Sequence, residues 1–499
     1  MIQTSKDAPI YTKQKIYRLF GFIPVLKIKR NSNKIGVRLF CFVPFLEIKQ
    51  SDENNTKVCL FNFIPILNLK KTNRHEYINL FNVIPLLKVN RNWSHKTKKE
   101  FIKKGGSKLL KIASQIPLKR NLILLSDGIF EKDANIQDNF TFFQYLYHQK
   151  TKELIPYYIL NSKSPYRQDL IKKYGKHIIL WNPKSCNKLG LRLLLLMPKL
   201  RYVCDSFQSV TLLPFDFCDA VKNSPYITSI FTQHGITFFK PNYITPDTYG
   251  KNIYDKVLVS NEMEKQLFIE QANFSPEDII PNGLMRWNNI QDLSAEQPKR
   301  SIFIFFTVRH YLSKMPDVQN SRYVTEIYSL LKRIKKTFNN IEVKIAIHHS
   351  VMNRLSSVFK QMNVDLVSED EVFQVKQSSS LLITDYSSMC FEFFLQNKPV
   401  IFYSLNDAED CRKRGHAADV VSPYLGKENL LPNIVTDQDE LTKLLMHYVN
   451  NGFQLSTEEK EKQNLFFYYK SGFCERFRKY LIDHLQEKKT FVSDNCRES

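Results

Sequence analysis

Four short apolar segments with the same order of residues occur near the start of the chain. They read LFGFIPVLKIK from residue 19, LFCFVPFLEIK from 39, LFNFIPILNLK from 60 and LFNVIPLLKVN from 80. Their prolines recur every 20 or 21 residues, at Pro24, Pro44, Pro65 and Pro85, which defines an internal repeat. Because proline is excluded from helix interiors and central strands, each unit is predicted to be a short edge-type strand bent at its proline. Four such units predict a small β layer within residues 1–92.

A lysine-rich segment, WSHKTKKEFIKKGGSKLLKIASQIP, follows the repeats at residues 93–117. Phe101, Leu109 and Ile112 belong to the apolar side of a helical pattern whose other side is basic. The segment predicts one or two basic amphipathic helices within residues 93–120. Such helices either lie in a membrane interface or pack as a linker on the next domain, and the sequence leaves both open.

From residue 121 the pattern changes to apolar runs that alternate with helical segments. The runs predicted as strands in the first series are NLILLSD (121–127), ELIPYYILN (153–161), HIILWN (177–182), RYVCDS (201–206), SIFTQHG (229–235) and DKVLVSN (255–261). After the polar stretch DLSAEQPKR the alternation starts again. The second series is SIFIFFTVRH (301–310), EVKIAIHHS (342–350), VDLVS (364–368), LLITDYSS (381–388) and PVIFYS (399–404).

This alternation predicts the α/β fold class, with parallel sheets whose ligands gather at the carboxyl ends of the strands. We expect a GT-B-like arrangement of two Rossmann-type doubly wound domains, residues 121–295 and 296–485, after the N-terminal β-repeat region. A tail at 486–499 completes the division. The functional site is expected in the cleft between the two domains.

The excess positive charge lies almost entirely in the first quarter of the chain. Residues 1–120 carry 25 Lys+Arg and 6 Asp+Glu, a net of +19, whereas the whole chain carries 72 and 49, a net of +23. Such a surface attracts an anionic partner, and near an anionic leaflet each basic residue contributes about 1 kcal/mol. The repeats alternate aliphatic residues with lysine and contain no known nucleic-acid-reading motif, so a membrane surface is favoured over nucleic acid.

Other features of the sequence predict a cytoplasmic protein that is peripheral on the inner face of the plasma membrane. The start MIQTSKDAPIY lacks the apolar core of a signal peptide. The most apolar stretch, LGLRLLLLMPKLRYV from residue 189, is interrupted by Arg192 and Pro198 within less than the roughly 20 residues that a bilayer requires. Nine cysteines without a CxxC pair indicate reduced thiols rather than a zinc site or a disulfide framework.

Several motifs occur in the order and at about the spacing seen in one enzyme family. They are FTQHGITFFK (231–240), IIPNGLMRW (279–287), TVRH, IAIHHS, LLITDYSSMCFEFFLQNKPVIFY (381–403) and FFYYKSGFCERF. Over roughly residues 121–485 the chain resembles the CDP-glycerol glycerophosphotransferases, the polymerases and primases of teichoic acids and teichoic-acid-like capsules. The resemblance implies transfer of glycerol phosphate, or a related alditol phosphate, from a CDP-activated donor to a hydroxyl of a lipid-linked or growing polymer, with release of CMP. It makes the first domain the acceptor domain and the second the donor domain.

The implied reaction needs a base for the acceptor hydroxyl and positive charge or amides for the diphosphate. His234, in QHG at the end of a predicted strand, is placed to act as the general base, the alternative being a buried structural histidine. Gly235 would let the backbone approach a phosphate closely. Lys240 and Arg309, also near strand ends, would contact phosphates or serve as ordinary surface charges.

The segment TDYSSMCFEFF predicts the donor-binding element. Asp385, Ser387 and Ser388 follow a strand, and the next helix offers free amides and two hydroxyls to a diphosphate, although the same residues would also make an ordinary helix cap. Glu392 occupies the place of a family aspartate that lies near the nucleotide ribose.

Two further elements enter through the resemblance. Arg286 stands where the family has an arginine beside the interdomain hinge, and the resemblance implies a donor-binding residue there, the alternative being an ordinary surface charge. IAIHHS stands at the place of the family's KPHP-like stretch but lacks its lysine and prolines. The resemblance implies that one of the two histidines contacts the donor diphosphate, with His348 expected as a second catalytic residue and His349 as a donor-site residue.

No obligatory metal or other cofactor is expected, because basic residues can neutralise the diphosphate directly. The expected partners are the CDP-activated donor, an anionic lipid-linked polymer and the cytoplasmic membrane surface, with no nucleic acid and with homo-oligomerisation left open. Two alternatives remain at this point: a GT-B glycosyltransferase that uses a nucleotide sugar, and a non-catalytic adaptor that binds polyanions or membranes. Neither the donor alditol nor the polymer is fixed by the fold.

Overall fold

The computed structural model describes residues 13–19, 23–31, 34–39, 43–52, 55–60, 64–71, 75–80, 84–90, 95–129, 138–182, 186–236, 244–307, 309–405, 431 and 433–487. At the described residues up to 102, and at residues 186–188, 310, 349 and 350, only the backbone is described. The predicted tail lies outside it from residue 488 onward. The chain divides into two compact units, Met1–Leu109 and Leu110–Ser499.

The first unit contains eight strands that pair antiparallel, each with the next along the chain. They are β1 (Lys13–Leu19), β2 (Ile23–Asn31), β3 (Lys34–Leu39), β4 (Val43–Asp52), β5 (Asn55–Leu60), β6 (Ile64–Lys71), β7 (His75–Leu80) and β8 (Ile84–Asn90). Each repeat thus contributes two strands, so the prediction of one edge-type strand per repeat is wrong. The repeat prolines lie one residue inside β2, β4, β6 and β8, and three of these strands have a neighbour on both sides.

A register shift beside each proline explains how the sheet accommodates it. Tyr17 pairs with Leu26 but Arg18 pairs with Pro24, so Val25 is left over as a bulge. The same shift recurs at Pro44, Pro65 and Pro85. Because a bulge interrupts the ladder of hydrogen bonds, it is a position where proline's missing N–H is tolerated.

A single helix, α1 (His95–Ser114), replaces the one or two short helices predicted after the repeats. Its last turn places Leu110 and Ala113 in the apolar core of the second unit, whereas Ile112 is exposed. For residues 110–114 the structure therefore favours the packed linker over the membrane-interface helix. Among the helices described, none combines the length and the apolar character needed to cross a membrane.

The second unit begins with a seven-stranded parallel sheet in the order β11-β10-β9-β12-β13-β14-β15. Its strands are β9 (Leu122–Ser126), β10 (Ile155–Asn161), β11 (Ile178–Trp181), β12 (Leu200–Asp205), β13 (Thr228–Phe231), β14 (Lys256–Val259) and β15 (Ile279–Pro281). Leu122 and Leu124 join the core on one face, whereas Ile123 and Leu125 join the core on the other. Burial on both faces is typical of a parallel sheet with helices on each side.

The helices that accompany this sheet are α2 (Asp138–Gln149), α3 (Arg167–Tyr174), α4 (Cys186–Leu196), α5 (Phe217–Lys222) and α6 (Glu262–Ala272). We call the sheet and these helices the first lobe. Its strand order is that of a doubly wound Rossmann-type sheet.

The second lobe is built on a five-stranded parallel sheet in the order β17-β16-β18-β19-β20. Its strands are β16 (Ser301–Phe305), β17 (Glu342–Ala346), β18 (Leu381–Thr384), β19 (Val400–Tyr403) and β20 (Ile434–Val435). Its helices are α7 (Arg322–Thr337), α8 (His349–Gln361), α9 (Val372–Ser378), α10 (Cys390–Leu395), α11 (Gln438–Asn450) and α12 (Thr457–Asn464). The two parallel sheets confirm the predicted α/β class.

The last helix, α13 (Phe473–Asp483), packs on the first lobe although it follows the second lobe in sequence. Phe477 and Leu481 belong to the core of the first sheet, and the hydroxyl of Tyr202 donates to the Leu481 carbonyl at 2.7 Å. The guanidinium of Arg201 donates to the His484 carbonyl at 2.7 Å. The predicted second domain runs to residue 485 and so includes this helix.

Candidate active site

The loops after β13 and β18 bring the predicted base and the predicted serines to the same place. Gly235 follows β13 in the first lobe, and Ser388 follows β18 in the second. A Cβ atom on Gly235 would lie 2.9 Å from Ser388 Oγ, closer than such atoms normally approach. The two lobes therefore approach each other closely at Gly235 and Ser388, and His234 is the adjoining residue.

His234 is held in an orientation that suits a general base. Its Nδ1 lies 2.9 Å from the carbonyl oxygen of Ser206, which can only accept a hydrogen bond. In the neutral ring the proton therefore sits on Nδ1, and Nε2 is the nitrogen that can receive a proton. The ring stacks on Phe207 with centroids 4.1 Å apart, and the side chain is half-buried.

The carboxylate of Asp127 supports the residue that orients His234. Its Oδ1 accepts from the hydroxyl of Ser206 at 2.8 Å, and its Oδ2 accepts from the hydroxyl of Tyr158 at 2.9 Å. Burial raises the pKa of Asp127, whereas the hydrogen bonds from Ser206 and Tyr158 favour its ionised form. The sequence signal for this support was the small polar ending of two strands, LLSD and VCDS, which the sequence analysis did not use.

Arg286 lies where the two lobes meet and contacts both of them. It follows β15 in a short 3₁₀ turn, Met285–Asn289. Its guanidinium forms ion pairs with Asp138, at the start of α2, and with Glu392 of α10, where Nε lies 2.9 Å from Oε1. Its NH1 group also donates to the backbone carbonyl of His234 at 3.1 Å. Burial lowers the pKa of Arg286, but Asp138 and Glu392 outweigh it and raise the pKa overall.

Both carboxylate oxygens of Glu392 have cationic partners. Oε1 contacts Arg286, and Oε2 contacts the ammonium of Lys376 on α9. Burial raises the pKa of Glu392, but Lys376 and Arg286 outweigh it and hold the pKa below its usual range. The predicted contact of Glu392 with a ribose stays a prediction. Lys376 and Asp138 were missed by the sequence analysis, since no local motif marks either one.

Arg309 and Asp385, which follow the carboxyl ends of β16 and β18, form a buried ion pair. Arg309 NH1 lies 2.9 Å from Asp385 Oδ2, and each side chain is 3% exposed. Asp385 Oδ1 accepts from the amide of Thr307 at 2.9 Å and from its hydroxyl at 2.8 Å. The arginine also lies over the Tyr386 ring at 5.2 Å. These contacts tie two strand ends together.

Ser387 and Ser388 occupy the turn between β18 and α10. The hydroxyl of Ser387 accepts from the amide of Met389 at 3.3 Å, so this serine shapes the turn that precedes the helix. Ser387 is buried, whereas Ser388 is half-buried and faces Gly235. Their predicted contact with a diphosphate stays a prediction.

The remaining predicted residues are only partly described. His348 is half-buried and lies between β17 and α8, at the same edge of the sheet as the serines. His349 is the first residue of α8, and its side chain is outside the description. Lys240 lies outside the described residues. Within the described part of the chain, no group of three or more His, Cys, Asp or Glu side chains could hold a metal ion.

Comparisons with known proteins identify a family and relatives that match the two-lobed part of the chain wholly or in part. The profile of the family described as CDP-Glycerol:Poly(glycerophosphate) glycerophosphotransferase matches residues 108–476. The minor teichoic acid biosynthesis protein GgaB of Bacillus subtilis (strain 168) is 25% identical over 260 residues, which cover 48% of this chain and 27% of that protein. The teichoic acid ribitol-phosphate polymerase TarL of Staphylococcus aureus (strain NCTC 8325 / PS 47) is 26% identical over 270 residues, which cover 49% of this chain and 46% of that protein.

The chain spans less than half the length of these two curated relatives. A solved structure of the wall teichoic acid polymerase TagF superposes with a TM-score of 0.52 at 16% sequence identity, covering 78% of this chain and 94% of that chain. This similarity concerns the fold alone.

Proposed function

The chain belongs to the CDP-glycerol:poly(glycerophosphate) glycerophosphotransferase family, and from this premise we propose that it transfers glycerol phosphate, or a related alditol phosphate, from a CDP-activated donor to a hydroxyl of a growing surface polymer. The observation that carries the proposal is the approach of Gly235 to Ser388 with His234 alongside. A base and a diphosphate site must face one another for such a transfer, and this junction is where the two lobes supply both.

The proposed reaction is an in-line displacement at the β-phosphorus of the donor. The oxygen of the acceptor hydroxyl forms a bond to this phosphorus while the bond to the bridging oxygen breaks, and CMP leaves with the electron pair. The proton of the hydroxyl passes to Nε2 of His234, the ring nitrogen that the hydrogen bond to Ser206 leaves unprotonated. Such general-base assistance contributes typically about 10²- to 10⁴-fold to a rate.

The donor side of the proposed site consists of Ser387, Ser388 and His348, with Lys240 and His349 as further candidates. The serine hydroxyls and neighbouring amides would hydrogen-bond phosphate oxygens. We assign Arg309 and Asp385 a supporting role beneath this site, because each is bound to the other and to the strand ends. No obligatory metal is proposed.

A panel of activated donors tests the reaction type. Purified protein is incubated with a polyol-phosphate acceptor and with CDP-glycerol, CDP-ribitol or a UDP-sugar, and the released nucleotide is measured. We expect CMP from one of the CDP-alditols and no UDP. Release of UDP alone would support the glycosyltransferase, and release of neither nucleotide would support the non-catalytic adaptor.

The polymer acceptor is proposed to be lipid-linked, with the basic N-terminal repeats holding the enzyme at the inner membrane surface. The support is the net charge of residues 1–92, which carry 16 Lys+Arg and 5 Asp+Glu, a net of +11. Removing residues 1–92, which leaves α1 intact, should raise the KM for an acceptor in anionic vesicles and spare the KM for a soluble acceptor. An equal loss with both acceptors would instead make the repeats a folding element.

A further inference from the structure

We propose that Arg286 is a positioning residue that sets the spacing between the base and the serines, and that Lys376 acts through the same set of ion pairs. This inference rests on the proposed transferase function and changes the role expected of Arg286, from a donor ligand to a support of the site. The evidence is that the guanidinium of Arg286 contacts three separate elements. The inference also gives a role to Lys376, which belongs to no recognised sequence motif.

The three elements are the start of α2, the loop after β13 and helix α10. Arg286 contacts Asp138 on the first of these and the backbone carbonyl of His234 on the second. It contacts Glu392 on the third, at 2.9 Å. The backbone amide of Arg286 also donates to Asp138 Oδ1 at 3.2 Å, which fixes the arginine to the first lobe.

These contacts close a ring that contains both halves of the proposed site. His234 is joined through the chain to Gly235, which approaches Ser388. Ser388 is followed one helical turn later by Glu392, which contacts Arg286, and Arg286 returns to the carbonyl of His234. One arginine side chain therefore links the backbone at His234 to the helix that follows the serines.

The charges in this set are balanced without a ligand. Asp138 and Glu392 supply two carboxylates, and Arg286 and Lys376 supply two cations. A donor phosphate that bound Arg286 would compete with both carboxylates for the same guanidinium. Balance of this kind favours a supporting role, because separating a buried charge from its partner is costly.

Lys376 is linked to His234 only through two other members of the set, Glu392 and Arg286. It lies on α9 and contacts only the Glu392 oxygen that Arg286 does not use, among the ion pairs described. Removing its charge leaves Arg286 and His234 chemically unchanged. A loss of activity on substituting Lys376 would therefore pass through Glu392 and Arg286.

The kinetic test uses three conservative variants, Arg286→Lys, Glu392→Gln and Lys376→Met. A lysine has one ammonium and cannot reproduce the forked contacts of Arg286. Because misplacement of a reacting group by about 1 Å can cost about 10²-fold, we expect Arg286→Lys to lower kcat by about 10- to 100-fold with the donor KM changed less than about threefold. Glu392→Gln and Lys376→Met should lower kcat less, again without a rise in donor KM. A raised donor KM at unchanged kcat would overturn the proposal and make Arg286 and Glu392 donor ligands.

A second measurement does not depend on turnover. Hydrogen exchange followed by mass spectrometry reports how firmly the peptides around 232–236 and 385–390 are held. We expect both peptides to exchange faster in Arg286→Lys and in Lys376→Met than in the unmodified chain. The matched control is Arg333→Lys, which alters an exposed ion pair with Asp439 and should change neither peptide.

The two measurements separate failure of this inference from failure of the proposed function. Faster exchange in both peptides, with no CMP released by the unmodified chain from any donor, would retain the positioning role and reject the transferase. Unchanged exchange in both variants would overturn the positioning role whatever the activity. Circular dichroism identifies a variant that does not fold, in which case Lys376→Met, the change that leaves Arg286 and Glu392 in place, decides the outcome.

Discussion

Replacing His234 by alanine should lower the rate of CMP release by about 10²- to 10⁴-fold, the contribution expected of a positioned general base. The alanine variant keeps the backbone carbonyl that Arg286 contacts, so the ring of contacts between the lobes is preserved. We therefore expect the affinity for CDP, measured by calorimetry, to change little. Single-turnover CMP release, with the donor bound in advance, isolates the chemical step.

His177 provides a matched control for this substitution. Its Nδ1 also lies close to a backbone carbonyl, that of Pro156 at 2.8 Å, and its ring also stacks on an aromatic residue, Tyr157. It precedes β11 and so lies at the amino end of the sheet, away from the proposed site. His177→Ala should leave CMP release unchanged. If His234→Ala and His177→Ala have equal rates, His234 is a structural histidine and the proposed base is wrong.

The first lobe shows how far periodicity alone specifies a fold of this kind. The apolar runs predicted as strands at 153–161, 177–182 and 201–206 are observed at Ile155–Asn161, Ile178–Trp181 and Leu200–Asp205. A strand that is buried on both faces needs a continuous run of apolar residues. Few other elements of the same length need one, so such a run predicts a strand. The predicted strand at 229–235 ends earlier, at Phe231, because Gln233 adopts a positive φ of 61° and turns the chain before His234.

The elements that were predicted wrongly depend on contacts between distant parts of the sequence. The run VDLVS at 364–368 has the composition of a strand, yet it makes only one isolated bridge, between Leu366 and Ile345. Helix α13 has an apolar stripe that would suit either lobe, and Phe477 packs on Phe142 at a ring distance of 4.9 Å. The local sequence pattern predicts that a helix forms. Which lobe the helix packs against depends on residues that are distant in sequence.

The same distinction applies to the site. QHG and TDYSS could be identified because they end predicted strands, and parallel strands bring their carboxyl ends to one edge of a sheet. The partners of Arg286 could not be identified, since Asp138 and Glu392 lie 148 and 106 residues away in sequence. A charged residue in isolation does not indicate whether it will meet a ligand or an opposite charge.

Replacing Asp385 by alanine should destabilise the second unit by about 3–5 kcal/mol, because the buried guanidinium of Arg309 would lose its counter-charge. The loss also removes the acceptor for the amide and hydroxyl of Thr307, so the ends of β16 and β18 would no longer be tied together. We expect a lower midpoint of urea unfolding, followed by circular dichroism. If Asp385 instead served chiefly as a donor ligand, the variant would unfold at the normal midpoint and fail only in donor binding.

A double substitution and an exposed control make this expectation specific. Changing Arg309 to methionine together with Asp385→Ala removes both charges, so the double variant should be more stable than Asp385→Ala alone, as partners in direct contact are not additive. The control is Asp439→Ala, which breaks the exposed pair with Arg333 and should cost no more than about 1 kcal/mol. Equal destabilisation by Asp385→Ala and Asp439→Ala would show that burial of the Arg309–Asp385 pair adds nothing to stability. Arg309 would then be reassigned to phosphate binding, the role that its position near a strand end first indicated.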